Sequence, residues 1–161
     1  MQTQANEIIS LLSLHHVKGW GRKKIWSLIQ QMGSAQAVCE EISIPSGWEE
    51  DVEACEKAGV SIISYKDPSY PKLLLQIPDF PLILYVKGAL HPKDVINIAI
   101  IGTRNATLYG KESASKIALE LSAQGITVVS GLARGIDTAA HIGALKGGRT
   151  IAVIGSGLGD I

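Results

Sequence analysis

Aromatic residues are scarce in this chain, at 5% with a single phenylalanine, and neither sign of charge is in excess. Fifteen Lys and Arg face fifteen Asp and Glu, so the formal net charge is zero. That balance gives no whole-molecule attraction to nucleic acid, although binding needs only a local basic face. The two cysteines, Cys39 and Cys55, lack motif spacing and read as reduced structural thiols, not as a disulfide or metal pair. No apolar run approaches the roughly 18 residues of a membrane span, and the N-terminus has no signal-peptide pattern. A cytoplasmic location is expected. His15, His16, His91 and His141 show no ligand spacing, so no metal is expected. No Walker A lysine is present, which excludes a P-loop at that motif. Ser130 lies in Ser-Gly-Leu, not in a nucleophile elbow. No hydrolytic constellation emerges, and the reading expects neither an enzyme nor a cofactor.

What is present describes a folded protein: 46% hydrophobic and 19% charged residues over 161 positions. That length suits one ordinary domain plus a small second one. Residues 4–15 place Ile8, Leu11 and Leu12 on one helix face, and Ile25, Leu28, Ile29 and Met32 mark a second helix stopped by Gly33. Gly19-Trp20-Gly21 joins the two and resembles a helix-hairpin-helix turn, with Arg22, Lys23 and Lys24 beside it. Two readings stay open there: a backbone grip on a nucleic-acid phosphate, or a tight helix–helix turn with a solvated basic face. Ser34 is the expected N-cap of a short third helix, and Ser46 with Glu49 has capping-box spacing for a fourth that ends at Gly59. Residues 1–58 thus read as a small all-helical domain, and residues 59–161 as a second domain.

In that second part, Val60 to Ser64 and Leu82 to Val86 read as strands around a turn-rich segment. A helix beginning at Pro71 is expected to bury Leu73, Leu74 and Leu75. The almost wholly apolar run Val95 to Ile101 predicts a strand of a parallel sheet covered on both faces. A helix carrying Ala114, Ile117, Ala118 and Leu121 follows, then a strand over Ile126 to Val129. Asp137 is the expected N-cap of a helix over Thr138 to Lys146, and Arg149 to Ile154 a third strand. Strand–helix–strand–helix–strand predicts a right-handed, doubly wound, Rossmann-like α/β sheet. A third glycine turn runs to Ile161, so further strands and helices are expected beyond it. The glycines at 155, 157 and 159 have the wrong spacing for a dinucleotide fingerprint.

Two Gly-rich turns follow the first two strands. In such units the strand ends, free backbone N–H groups and helix N-termini converge on a crevice that favours anions. The candidate phosphate-binding residues are Gly102, Thr103, Arg104 and Thr107 in the first turn, with Ser130, Gly131, Ala133, Arg134 and Gly135 in the second. Glycine lets the backbone approach a phosphate, threonine adds a hydroxyl donor and arginine a fork of donors. Tyr109 could stack on a base or pack on the sheet. These residues leave the nature of the phosphate compound open.

Gly102-Thr103-Arg104-Asn105-Ala106-Thr107-Leu108-Tyr109-Gly110 resembles the G-S/T-R-x-x-S/T-x-Y-G motif of the DNA-processing protein A family (DprA, also called Smf). Ser130 to Asp137 resembles its S-G-x-A-x-G-I-D motif, and Thr150 to Asp160 the start of its T-I-A-V-x-G-x-G-x-D segment. Tyr70 to Leu74 and Leu84 to Gly88 fit the family as well. The resemblance implies a sterile-alpha-motif-like helical domain followed by an extended Rossmann-like domain, cut short within the latter. It implies binding and protection of incoming single-stranded DNA in natural transformation and recombination, loading of the RecA recombinase, a homodimer at full length, and no catalytic activity. The alternative is a nucleotide-binding enzyme or sensor of the Rossmann-like phosphoribohydrolase type. The acidic Gly-rich loop that such enzymes carry is missing from this sequence.

Overall fold

The computed structural model describes residues 2–42 and 48–158. Ser46, one half of the expected capping box, lies outside the described residues. Tertiary contacts divide the chain into two units, Met1–Leu90 and His91–Ile161.

The first unit holds α1 (Gln2–His15), α2 (Arg22–Met32), α3 (Ala35–Glu41), α4 (Trp48–Ala58), β1 (Val60–Ser64) and β2 (Ile83–Lys87). The expected start and stop signals operate as local physics requires. Gly33 caps α2 in the left-handed conformation, with φ of 89° and its N–H donating to the Ile29 carbonyl at 2.8 Å. Ser34 Oγ accepts from the Ala37 amide at 3.0 Å and begins α3. Leu11, Leu14, Ile25, Ile29, Ala35, Val38 and Leu82 form one buried core. Trp26 sits edge-on to both Tyr65 and Phe80 at its margin, at centroid distances of 5.3 and 5.0 Å.

The antiparallel β1–β2 ribbon packs on α1 and α4 and belongs to this unit. The compact units therefore meet at Leu90 and His91, not at the change of composition near Gly59. The segment after Pro71 also differs from expectation. It is a 3₁₀ turn over Lys72–Gln76, with Leu73 54% exposed and Leu75 38% exposed. A single 3₁₀ turn has no continuous apolar face to bury. Tyr70 is the buried residue of that stretch, its hydroxyl donating to the Pro81 carbonyl at 2.6 Å. Burial pushes that phenol up to about 12.

The second unit holds β3 (Asn97–Ala99), α5 (Leu108–Ala123), β4 (Thr127–Ser130), α6 (Ile136–Gly147) and β5 (Thr150–Ala152). The strands form a parallel sheet in the order β3-β4-β5, pairing Ile98 with Val128 and Val129 with Ile151. This is the expected α/β, Rossmann-like arrangement. Because successive right-handed crossovers step in one direction, α5 and α6 share one face of the sheet. They pack tightly on each other, and a Cβ at Gly143 would run into the backbone of Ser115. Ala118, Val128, Ala140 and Ala144 form the core between helices and sheet.

The apolar run before the first turn is less covered than its composition implies. Only Asn97–Ala99 is strand, and Val95, Ile96 and Ile101 are 67%, 63% and 75% exposed. Among the described residues β3 is an edge strand, so its outer side meets no neighbour. A charged clasp holds the opposite end of the sheet from the Gly-rich turns. Asp94 receives Arg149 Nε at 2.6 Å and Nη2 at 2.8 Å, and also the Thr127 hydroxyl at 2.9 Å. The guanidinium holds the Asp94 carboxyl down at about 2.

Candidate phosphate-binding site

The first turn leaves β3 at Ile100, whose N–H donates to the Val129 carbonyl at 2.9 Å, and ends at Thr107, the N-cap of α5. The second leaves β4 at Ser130 and ends at Gly135, the N-cap of α6. Parallel neighbouring strands bring both turns to the same edge of the sheet. There they touch backbone to backbone: the Ile136 amide donates to the Thr103 carbonyl at 3.3 Å. Gly135 has φ of 89° and ψ of −121°, and a Cβ there would lie 2.7 Å from the Arg104 carbonyl oxygen. Only glycine fits that conformation and that approach. Gly102 is likewise pressed on Ile136, whose Cγ1 would be 2.6 Å from an added Cβ.

Between the turns lies a pocket of about 580 Å³ lined by Arg104, Asn105, Leu132, Ala133 and Arg134. Both arginines singled out in the sequence are therefore in its wall. Among the described residues, the N–H groups of Thr103, Arg104, Leu132 and Arg134 have no acceptor, and neither guanidinium has a carboxylate partner. Two cations and several unspent amides at one concavity can hold an anionic oxygen.

The other expected residues are placed differently. Thr107 Oγ1 accepts from the Gly110 amide at 3.1 Å and is engaged as a helix cap. Ser130 is buried, with its hydroxyl donating to the Ile100 carbonyl at 2.7 Å, so it ties β4 to the strand beside it. Thr103 Oγ1 accepts from the Asn105 amide at 3.2 Å and keeps its own proton for a ligand. Tyr109 is 79% exposed and does not pack on the sheet.

Asp137 differs most from expectation. It is the second residue of α6, whose N-cap is Gly135, and its carboxylate reaches back into the turn. Oδ2 accepts from the amides of Gly131 at 3.2 Å and Ala133 at 3.4 Å. Those two donors are consequently occupied from within, and Asp137 shapes the turn where an N-cap was expected. One helical turn later, the Thr150 hydroxyl donates to the Val128 carbonyl at 2.8 Å and so accepts from His141 Nδ1 at 2.7 Å. His141 Nε2 and Asp137 Oδ1 are both buried without a hydrogen-bond partner among the described residues. Burial lowers the His141 pKa and so disfavours the imidazolium, against the pull of Asp137. Leu132 and Asn105 were not singled out in the sequence. Leu132 adopts φ of 58°, a left-handed conformation unusual for leucine, and nothing in Gly-Leu-Ala signals it.

Around the Gly19 to Gly21 turn, two of the three basic residues have internal engagements. Arg22 pairs with Asp79 at 3.0 Å, and Lys24 lies 4.4 Å over the Trp20 ring. Cys39 and Cys55 are free thiols, both pushed up by burial.

The sequence profile of DNA recombination-mediator protein A matches residues 61–161 of this chain, the span that contains both turns. The chain belongs to that family. Protein Smf of Synechocystis is 35% identical over 152 residues, covering 91% of this chain and 35% of that protein. DNA processing protein DprA of Streptococcus pneumoniae is 45% identical over 96 residues, 59% of this chain and 34% of that protein. DNA processing protein DprA of Bacillus subtilis is 40% identical over 111 residues, 67% and 37% respectively. The X-ray structure of DNA processing protein A from Streptococcus pneumoniae aligns with a TM-score of 0.61 at 32% identity, over 98% of this chain and 55% of that one. This DprA-family chain thus spans about a third of the length of the curated relatives it matches.

Proposed function

We propose that this chain binds single-stranded DNA through the pocket between its two Gly-rich turns, as part of a DNA-processing protein acting in recombination and natural transformation. The observation that carries the reading is the convergence of Arg104 and Arg134 with unpaired turn amides at one wall. Backbone amides and guanidinium groups recognise phosphate without reading base identity. The role would be non-enzymatic: protection of incoming DNA in the cytoplasm and its delivery to the RecA recombinase, with a homodimer as the full-length assembly. Thr103, Arg104, Ala133 and Arg134 would form the contact surface, with Gly102 and Gly135 letting the two turns close beneath it. Thr107, Ser130 and Gly131 would support it from behind.

The test is fluorescence anisotropy with a labelled oligothymidylate across a salt series. Binding should weaken as salt rises, because cations on the strand are released. Arg104→Ala should lower affinity at least tenfold and flatten the salt slope. Unchanged affinity would remove Arg104 from the site. Thermal shift by a mononucleotide but not by the oligonucleotide would favour the nucleotide-binding alternative.

A further inference from the structure

The outer surface of the second unit carries a second concavity, which shares Arg134 with the pocket between the turns but extends from there along the helices. It is a groove of about 640 Å³ between α5 and α6. Its floor is aliphatic, with Leu119 on one helix and Ala139 and Ile142 on the other. Ile142 is 50% exposed and Leu119 36% exposed, although both project from helices that otherwise pack on the sheet. The rim is cationic: Lys111 and Lys116 on α5 face Arg134 and Lys146 on the other side, against the single carboxylate of Glu112. Lys116 stands 4.0 Å from Glu120, an exposed pair that contributes little. Among the described residues, Lys111, Arg134 and Lys146 have no ion-pair partner.

The close approach of α5 and α6 makes the groove. Gly143 against Ser115 and Gly147 against Leu119 let the helix backbones nearly touch, so longer side chains splay to either side. Along α6, from Thr138 to Lys146, the groove runs about 12 Å at 1.5 Å per residue, a little over two helical turns.

We infer that this groove docks an acidic, amphipathic helical segment of a partner protein. Exposed aliphatic side chains in a trough between helices are the receptor half of helix-in-groove recognition, read by apolar anchors at i, i+3, i+4 and i+7. Four cations on the rim against one carboxylate select a segment whose flanking residues are Asp and Glu. A nucleic-acid strand fits this surface less well, because the aliphatic floor of Leu119, Ala139 and Ile142 offers nothing that phosphate recognition uses.

The test uses the chain with a fluorescein-labelled, fourteen-residue probe peptide bearing Leu and Phe at i, i+3, i+4 and i+7 and Asp or Glu between them. A control peptide of identical composition spreads the apolar residues around the helix. The probe should bind saturably and move the amide resonances of Ser115, Leu119, Ala139 and Ile142. Ile142→Asp and the double variant Lys116→Glu with Lys146→Glu should each weaken it at least tenfold. Both leave exposed positions only, and oligothymidylate binding should persist in each, which separates this site from the pocket between the turns. Equal binding of the control peptide, or probe affinity unchanged in both variants, would overturn the assignment. So would oligothymidylate shifts centred on the groove, or dilution-dependent shifts there without peptide, which would give the groove to DNA or to a second copy of the chain.

Discussion

Gly135 is the residue on which the two turns close. Its φ of 89° with ψ of −121° is denied to residues with a Cβ, and the Thr103 and Arg104 carbonyls occupy the space a side chain would need. Gly135→Ala should destabilise the chain by at least about 2 kcal/mol in denaturant unfolding. It should also weaken oligonucleotide binding in whatever fraction stays folded, because Arg104 and Arg134 would be displaced together. Gly102→Ala meets a side chain instead of backbone and should be milder. The glycine spacing made this position visible in the sequence. Asp137 was visible as a residue but not in its role. An aspartate near a helix start can cap that helix or reach back to the preceding turn, and both uses have the same local sequence. Only the position of Gly135 as N-cap decides between them.

Among the elements, the strands and helices of the second unit were legible because apolar runs and helical periods alternate cleanly there. The exposure of β3 was not. Its composition is that of a buried strand, and whether neighbours cover it depends on parts of the sheet that no local pattern reports. The clasp between Asp94 and Arg149 was equally hidden, since its partners are 55 residues apart and each reads as an ordinary surface charge. It joins the segment before β3 to the start of β5 and takes in Thr127 of β4. The folded-state pKa of Asp94 lies near 2, below the 3.8 of an unpaired group. Its contribution is therefore present above pH 3.8 and lost as pH falls from there towards 2. A shift of that size corresponds to about 2 kcal/mol. Asp94→Asn should lose about that much at pH 7 and show a shallower loss of stability between pH 4 and 2, read by denaturant titration at each pH.

For the molecule as a whole, zero net charge and an open strand edge act together. Ile96, Ile101 and Val153 are 63%, 75% and 62% exposed, and no excess of one charge keeps copies apart. The chain should self-associate as its concentration rises, seen as increasing light scattering near neutral pH. Ile96→Lys puts a cation beside the edge of β3 and should reduce that association without changing helix content by circular dichroism.

The carboxylate of Asp137 has one more consequence. It stands directly behind the pocket wall at Ala133, so a phosphate held in the proposed site would face this carboxylate through the amides that the aspartate has claimed. A phosphodiester inside a strand carries one negative charge, whereas a terminal phosphate or free nucleotide carries closer to two. Repulsion by Asp137 and attraction by Arg104 and Arg134 both grow in proportion to that charge. In the proposed site Asp137 would thus offset part of the pull of Arg104 and Arg134, and that offset would be smallest for the singly charged interior of a strand.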